Sequence, residues 1–453
     1  MIVVKFGGTS VADAAAIRRA AEIVRSRLDR HPVVVVSALS GTTNALLSIS
    51  DQAANGHFIS AIRAVEGLRE RHLGEAESLL AGSEELGDVC AELSATFDEL
   101  ASLVEALSVL GHLTPRSQDA LAAMGERTSS VMAAAAFRVA GLDAVHLDAR
   151  EILVTDDTFC SATPLPDRIA EKARAQVLPL VRAGKVPLLG GYIGATERGI
   201  TTTLGRGGSD YSASLVGAAL KADAIEIWTD VDGMLTADPR VVEGALLIPQ
   251  IRFDEASELA SFGAKVLHPS TIAPAVKLGI PVWVFNSRNP AGGGTRITFD
   301  APRRPVSAIA GKTGTTVVRV RTPRMLLTHG FLRQVFEIFD RHRTSVDVVA
   351  TSEVSVSVTV DDATHIDDVL LDLRQMGDVS VERNKGIVAV VGAGMADDGR
   401  ALARALTALQ DMRVQMVSLS ASGINLTLLF DADDVAPAMR RLHEAFFGGE
   451  AAA

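Results

Sequence analysis

Aromatic residues are scarce in this chain of 453 residues: Phe, Trp and Tyr together make up 4%, with two Trp and two Tyr. The core must therefore be built from Ala, Val, Leu and Ile, and apolar residues supply 47% of the chain. Cysteine is nearly absent. Cys90 and Cys160 stand far apart with no paired spacing, which excludes a disulfide framework and a Cys-ligated metal site and suits a reducing compartment. Positive charge is in deficit, with 44 Lys and Arg against 55 Asp and Glu, a net charge of -11. That excess repels a polyanion, so nucleic-acid binding is not expected. No uncharged apolar run approaches the ~20 residues that span a bilayer. The four apolar residues ahead of Lys5 are too few for a secretory h-region. The expectation is a soluble, cytoplasmic protein with no membrane partner, divided at roughly 150 residues per domain into two to four domains.

What is present is an alternation of short apolar runs and Ala-rich stretches over residues 1–299. Ile2 to Val4, Val33 to Val36, Val186 to Leu189, Ala224 to Trp228 and Val282 to Phe285 read as buried strands. Asp13 to Leu28 and Ser212 to Leu220 read as helices, and Ala53 to Arg116 as a mostly helical elaboration. Such alternation predicts an α/β domain with a largely parallel sheet, which binds ligands beyond the carboxyl ends of its strands. Pro, Gly and paired Arg then break the periodicity over 300–314, read as a linker. Beyond it the chain repeats itself. Val346, Val348, Val356 and Val358 find apolar counterparts 68 positions on, at Val414, Met416, Ile424 and Leu426. Two copies of a βαββ unit follow, over 315–385 and 386–447, and the tail from Gly448 to Ala453 is expected to fray.

Several predicted strand ends carry residues suited to anions. Lys5-Phe6-Gly7-Gly8-Thr9-Ser10 joins the first strand to the first helix, so glycine amides, a helix N-terminus and a lysine converge in a phosphate cradle. Val36 leads into Ser37 to Asn44, Leu189 into Gly190 to Gly194, and Trp228 into Thr229 to Gly233. Any one loop reads more readily as turn chemistry, and only the coincidence of several points to a nucleotide and a small polar substrate. In Thr201 to Asp210, glycines precede an Ala-rich helix and Arg206 can fork onto a carboxylate, while Ser209 or Asp210 could instead cap the helix. Thr236 to Arg240 and Phe262 to Lys265 add two cations of the kind phosphoryl transfer needs.

Two other patterns fail. Gly392-Ala393-Gly394 has Asp397 where a dinucleotide fingerprint needs its third glycine, and Gly311-Lys312-Thr313 has Val306 where a P-loop needs its first. The ten His show no metal-ligand spacing, His268 included, and no metal site in the protein is expected.

Lys5 to Ser10, Ser37 to Asn44, Thr201 to Asp210, Trp228 to Arg240 and Phe262 to Pro269 together resemble the signature segments of aspartokinases, in the amino-acid kinase superfamily. The C-terminal copies resemble the tandem ACT domains of those enzymes. Ser345 to Asp347 and Thr351 to Val356 are most similar to the monofunctional lysine-sensitive type. The resemblance implies transfer of the ATP γ-phosphoryl to the β-carboxylate of L-aspartate, with Mg²⁺ carried on the ATP phosphates. It implies Lys5, Asp210 and Lys265 as catalytic residues, with Thr43, Glu126, Arg206 and Ser209 around aspartate. Arg206 would fork onto the α-carboxylate and Glu126 would accept from the ammonium. ATP would be served by Lys5, Gly7, Gly8, Thr229, Asp230, Arg240 and Lys265. Leu235 departs from the pattern, standing where similar enzymes often carry tyrosine. Whether Asp210 touches substrate or orients the lysines is left open.

The resemblance further implies L-lysine as feedback inhibitor in the first copy, at Met325, Thr328, Gly330, Phe331, Leu332, Val346, Asp347, Ser352 and Glu353. Asp347 and Glu353 suit an ammonium and the loop backbone a carboxylate. Gln415 replaces Asp347 in the second copy, which is read as structural. A homodimer or dimer of dimers through the ACT domains is implied. The Phe-containing hexapeptide and the ACT pair disfavour a kinase of glutamate, N-acetylglutamate or carbamate. Intact Lys5, Arg206, Asp210 and Lys265 argue against a silent amino-acid sensor.

Overall fold

The computed structural model describes residues 1–263, 267, 269–325, 329–397 and 399–448; Lys265, His268, Thr328 and the tail beyond Gly448 lie outside them. Two compact units form, and neither is one stretch of chain. The first comprises Met1–Met234, Pro249–Phe253 and Val266–Ala301, and the second Leu235–Ile248, Asp254–Lys265 and Pro302–Ala453. A linear cut at residue 299 therefore gives way to one in which two excursions, the earlier carrying Arg240, belong with the C-terminal portion. No helix among the described residues is long and apolar enough to cross a membrane.

The first unit is built on an eight-stranded sheet: β1 (Ile2–Phe6), β2 (Pro32–Val36), β3 (Ala144–Leu147), β5 (Val186–Gly190), β8 (Ala224–Thr229), β9 (Gln250–Ile251), β10 (Val282–Asn286) and β11 (Thr295–Ile297). A smaller sheet contains β4 (Val154–Thr155), β6 (Ile193–Thr196) and β7 (Thr201–Thr203). The large sheet runs in the order β3-β5-β2-β1-β8-β10-β11-β9, parallel throughout except where β11 meets β10. β1, β2 and β5 are buried at every position, as the unbroken apolar runs require of strands covered on both faces. After β1 the chain moves to β2 on one side, while β8 and β10 lie on the other. The β1/β8 seam is thus a switch point, where open α/β sheets bind ligands.

Helices α1 (Ala14–Arg25), α2 (Thr42–Ala54), α3 (Phe58–Leu80), α4 (Glu85–Leu110), α5 (Pro115–Ala122), α6 (Met124–Val139), α7 (Pro166–Arg182), α8 (Gly208–Leu220) and α10 (Pro269–Leu278) also belong to this unit. On α1, Ala14, Ile17, Ala20, Ala21 and Val24 are buried, the stripe of an amphipathic helix. The Asp13 side chain accepts from the Ala16 amide at 2.8 Å, a cap worth about 1 kcal/mol. The few aromatics are concentrated: Trp228 stacks at 4.8 Å on Phe285 and at 6.4 Å on Phe6, closing the core where three strands end. Glu226, buried on β8, is held by Arg30 at 2.6 Å and Arg27 at 3.2 Å.

In the second unit, β12 (Ala308–Arg321), β13 (Val349–Thr351), β14 (Ser355–Val360), β15 (Asp378–Val391), β16 (Met416–Leu419) and β17 (Asn425–Asp431) form one antiparallel sheet in the order β13-β14-β12-β15-β17-β16. The expected linker therefore ends early, because Ala308 to Gly314 is the first half of β12. β12 and β15 are long enough to serve both repeats. Each carries one extra residue near its middle, Gly314 at φ +85 and Asn384 at φ +55, and the ladder shifts there.

Helices α11 (Phe331–Arg341) and α12 (Ile366–Leu373) cover the first half and α13 (Gly399–Ala408) and α14 (Val435–Phe447) the second, over separate apolar cores. The βαββ copies are thus completed to βαββαβ, and β12 supplies the last strand of the second copy. The offset is 68 between the first residues of α11 and α13 but 69 between those of α12 and α14, and the second hairpin is two residues longer. Thr351 pairs with Val356 across four residues, Leu419 with Leu426 across six. Val356 therefore corresponds to buried Leu426, not to Ile424. The remaining helix, α9 (Phe253–Ser261), spans the change of unit at its first residue.

Candidate active site

The strand ends at the β1/β8 seam are in register: Phe6 pairs with Val36 and Trp228, and Val36 with Gly190. Around them runs a closed circuit of contacts. Lys5 is buried, and its Nζ lies 2.6 Å from Asp210 Oδ1. The distance is that of an ion pair, but the angles are off hydrogen-bond alignment, and Oδ1 has no aligned donor. A Cβ on Gly8 would stand 3.3 Å from the Ala38 carbonyl oxygen. The Ala38 amide donates to Glu126 Oε1 at 3.3 Å. A Cβ on Gly190 would stand 3.0 Å from the Glu126 carbonyl oxygen, and one on Gly191 2.7 Å from Ser209 Cβ. Ser209 precedes Asp210, which closes the loop.

Each member is positioned by its element. The Gly7 amide donates to the Trp228 carbonyl at 3.0 Å, bridging β1 to β8. A Cβ on Gly7 would meet Lys5 Nζ at 3.5 Å, so glycine keeps the space beside the ammonium open. Ser10 Oγ, buried, lies 3.1 Å from Trp228 O and 2.8 Å from Ser287 Oγ, tying the cradle to the end of β10. α8 begins at Gly208, four residues earlier than its apolar pattern predicts, behind Gly207 at φ +69. Ser209 and Asp210 are therefore in its first turn and not at its cap, where the helix dipole favours negative charge. Arg206, just ahead of that turn, is exposed, with no hydrogen-bond or ion partner among the described residues.

Glu126, on the first turn of α6, is the most perturbed group of the circuit. Burial pushes its carboxyl up to about 8, opposed by the Ala38 amide, and its Oε2 has no partner. A buried carboxyl with one free oxygen suits a cationic ligand atom. Thr43 is half-buried in the first turn of α2, while the neighbouring Thr42 hydroxyl is buried with no partner.

The nucleotide-side residues divide. Thr229 ends β8; its Oγ1 donates to Asp230 at 3.2 Å and its carbonyl accepts from the Ser287 amide at 2.8 Å. Arg240 belongs to the second unit, exposed and paired with Asp238 at 2.6 Å. Lys265 lies outside the described residues. A polar cavity lined by Thr96, Arg127, Ser130, His146, Asp148 and Arg150 reaches the circuit at Gly190 but includes none of Lys5, Asp210 and Glu126.

Of the regulatory positions, Gly330 at φ +79 precedes α11, Phe331 is buried, and Met325 and Val346 pack against the first core, while Leu332, Ser352 and Glu353 are exposed. Ser352 Oγ lies 2.7 Å from Ser355 Oγ. The Asp347 side chain is 26% exposed; desolvation pushes it up to about 6, with Lys312 opposing and Asp361 adding to the rise. Lys312 Nζ lies 3.9 Å from Asp347 and closer to Asp361. The Asp347 amide donates to Thr359 O and the Gln415 amide to Leu429 O, so the two side chains occupy equivalent places. Thr328 lies outside the described residues.

Sequence reasoning passed over Ser10 as a tie, Ser287, Asp119 and Tyr192. The side chains of Ser10, Ser287 and Asp119 meet partners more than 40 residues away, and the Tyr192 backbone meets Leu204 and Ser212, 12 and 20 residues on, so no short motif marks them.

Comparison with known proteins agrees with this architecture. The amino acid kinase family model matches residues 1–286, and an ACT domain model matches residues 388–446. The chain is 35% identical to the lysine-sensitive aspartokinase 3 of Escherichia coli K12, over 99% of each. It is similar to the crystal structure of E. coli aspartokinase III in complex with lysine and aspartate (T-state), with a TM-score of 0.83 and 36% identity over 99% of both chains. It is equally similar to that enzyme in complex with aspartate and ADP (R-state), with a TM-score of 0.84 and 35% identity over 99% of this chain and 100% of the other. Likeness at this level, running from the first strand to the last helix, establishes that the chain belongs to the aspartokinases of the amino acid kinase family.

Proposed function

We propose that the circuit around Lys5 is where the γ-phosphoryl of MgATP passes to the β-carboxylate of L-aspartate, giving 4-phospho-L-aspartate. The observation that carries this reading is a buried lysine at a strand end, its ammonium beside the open face of Gly7 and paired with the Asp210 carboxylate. A substrate carboxylate of pKa near ~4 is already ionised at neutral pH, so no general base is needed. A carboxylate oxygen attacks the γ-phosphorus, the bond to the β–γ bridging oxygen breaks, and ADP leaves with no proton moved. The work of the protein is to bring two anions together. Lys5 supplies charge at the transferring phosphoryl, Gly7 and Gly8 leave room for it, and Asp210 orients Lys5. Mg²⁺ enters on the nucleotide and spreads the charge of its phosphates.

Aspartate is held in this reading by Arg206 at the α-carboxylate and Glu126 at the ammonium, with Thr43 and Ser209 beside it. Thr229, Asp230, Arg240 and Lys265 serve ATP. The first ACT unit takes L-lysine: the N-terminus of α11 at Gly330 suits its carboxylate, and Asp347 suits an ammonium. Gln415 lacks that charge, so the second unit is structural. Homodimers, alone or paired, form through the ACT sheet edges, where Val349, Val417 and Leu419 are exposed, and the enzyme works in the cytoplasm. ADP release measured with aspartate, across added lysine, threonine and methionine, tests the reading. Aspartate-dependent turnover suppressed by lysine supports it; ATP turnover indifferent to aspartate overturns it.

A further inference from the structure

Asp119, on α5, is 1% exposed and takes no part in the circuit described above. Its carboxylate accepts from the Cys160 amide at 2.9 Å, the Thr203 amide at 3.1 Å and the Thr203 hydroxyl at 2.6 Å. All three donors are neutral, and no cation pairs with it among the described residues. Burying a carboxylate on such terms is costly. What it joins explains its presence.

Thr203 is the last residue of β7, two positions ahead of Gly205, where the turn to α8 begins at φ +74. Cys160 lies in the facing loop, and its carbonyl oxygen would stand 3.2 Å from a Cβ on Gly205. The Ala162 amide also donates to the Thr203 carbonyl at 2.9 Å. One carboxylate thus fixes both banks of the turn that carries Arg206, Ser209 and Asp210. The Leu204 amide donates to the Tyr192 carbonyl at 2.9 Å as well, and a Cβ on Gly208 would meet the Tyr192 ring at 2.6 Å. The turn is held from below at its first and fourth residues.

We infer that Asp119 is a positioning residue for aspartate binding, setting the direction from which Arg206 and Ser209 meet the substrate through Thr203 and the Cys160 loop. The inference rests on the reading of the Gly205–Asp210 turn as aspartate-facing. Asn at this position can preserve the network: its oxygen accepts from both amides, and its amide donates to a Thr203 hydroxyl that has turned round. Ala cannot.

The test is steady-state kinetics of Asp119→Ala, Asp119→Asn, Thr203→Val and Arg206→Ala. Asp119→Ala is expected to raise KM for aspartate about tenfold or more with KM for ATP within about twofold, a split that simple loss of folded enzyme does not produce. Asp119→Asn is expected to stay within about threefold of wild type. Thr203→Val, which removes only the hydroxyl, gives an intermediate rise and decides the matter if the Ala variant does not fold. An unchanged aspartate KM in folded Asp119→Ala or, failing that, in Thr203→Val overturns the inference, as does a rise in both KM values together. An unchanged aspartate KM in Arg206→Ala instead overturns the reading of the turn.

Discussion

Lys5 Nζ and Asp210 Oδ1 are 2.6 Å apart across two elements, β1 and the first turn of α8, yet their angles are not those of a hydrogen bond. In the proposed reading the contact holds the ammonium by charge and leaves its N–H groups to a phosphoryl oxygen. Replacing Lys5 by Met should lower kcat by about 10²- to 10³-fold, the scale for losing a donor to developing charge. KM for aspartate should stay within about threefold, since the lysine serves the transferring group. Initial-rate kinetics checks both.

In the proposed reading, Glu126 should make aspartate binding pH-dependent. With its carboxyl pushed up to about 8 by burial, the free enzyme holds it neutral at pH 7, and an ammonium ligand must draw the proton off. KM for aspartate should therefore fall as pH rises from 6.5 toward about 8, and calorimetry in buffers of differing ionisation enthalpy should detect proton release on binding. The folded value lies above that of an unfolded Glu, so the group's contribution to stability, full at low pH, is lost as pH rises through about 8. Glu126→Gln should stabilise the free enzyme at pH 8 by on the order of 2 kcal/mol, read as a higher Tm, while weakening aspartate binding.

Gly191→Ala should impair catalysis through packing. The new Cβ would stand 2.7 Å from Ser209 Cβ and 2.8 Å from Ser209 Cα, so backbone must move. A shift of about 1 Å at the start of α8 displaces Ser209 and Asp210 together, and kcat/KM should fall by roughly 10²-fold. Circular dichroism should still report a folded chain.

Lysine inhibition should weaken in acid. Asp347, pushed up to about 6 by burial, against Lys312 and with Asp361, loses its charge as pH falls through that value, and with it the attraction for an effector ammonium. The lysine concentration for half inhibition should rise from pH 7.5 to pH 5.5, and Asp347→Ala should flatten the dependence. Gln415→Ala should leave inhibition unchanged.

What could be read from residue order is what local chemistry encodes. Unbroken valines at Val33–Val36 can only be a strand covered on both faces, and Lys5 to Ser10 carries its glycines and lysine within one turn. α8 begins earlier than its apolar pattern because Gly207 adopts φ +69, which starts a helix among small polar residues. The linker was overextended for a related reason: Gly311 and Gly314 look like breaks but lie within β12, where Gly314 is the extra residue of a bulge. Asp119 has no local signal at all, because Thr203 lies 84 positions away and the contact exists only once β7 and α5 have packed.

The proposed reaction at this rim is defined by its product. Hydroxylamine trapping measures it directly, since an acyl phosphate is converted to a hydroxamate and other phosphoryl products are not. With ATP, Mg²⁺ and aspartate, the wild type should accumulate aspartyl hydroxamate in step with ADP, glutamate should yield almost none, and Lys5→Met should lose the signal. Hydroxamate formed equally well by Lys5→Met, or ADP released with no hydroxamate, contradicts the assignment.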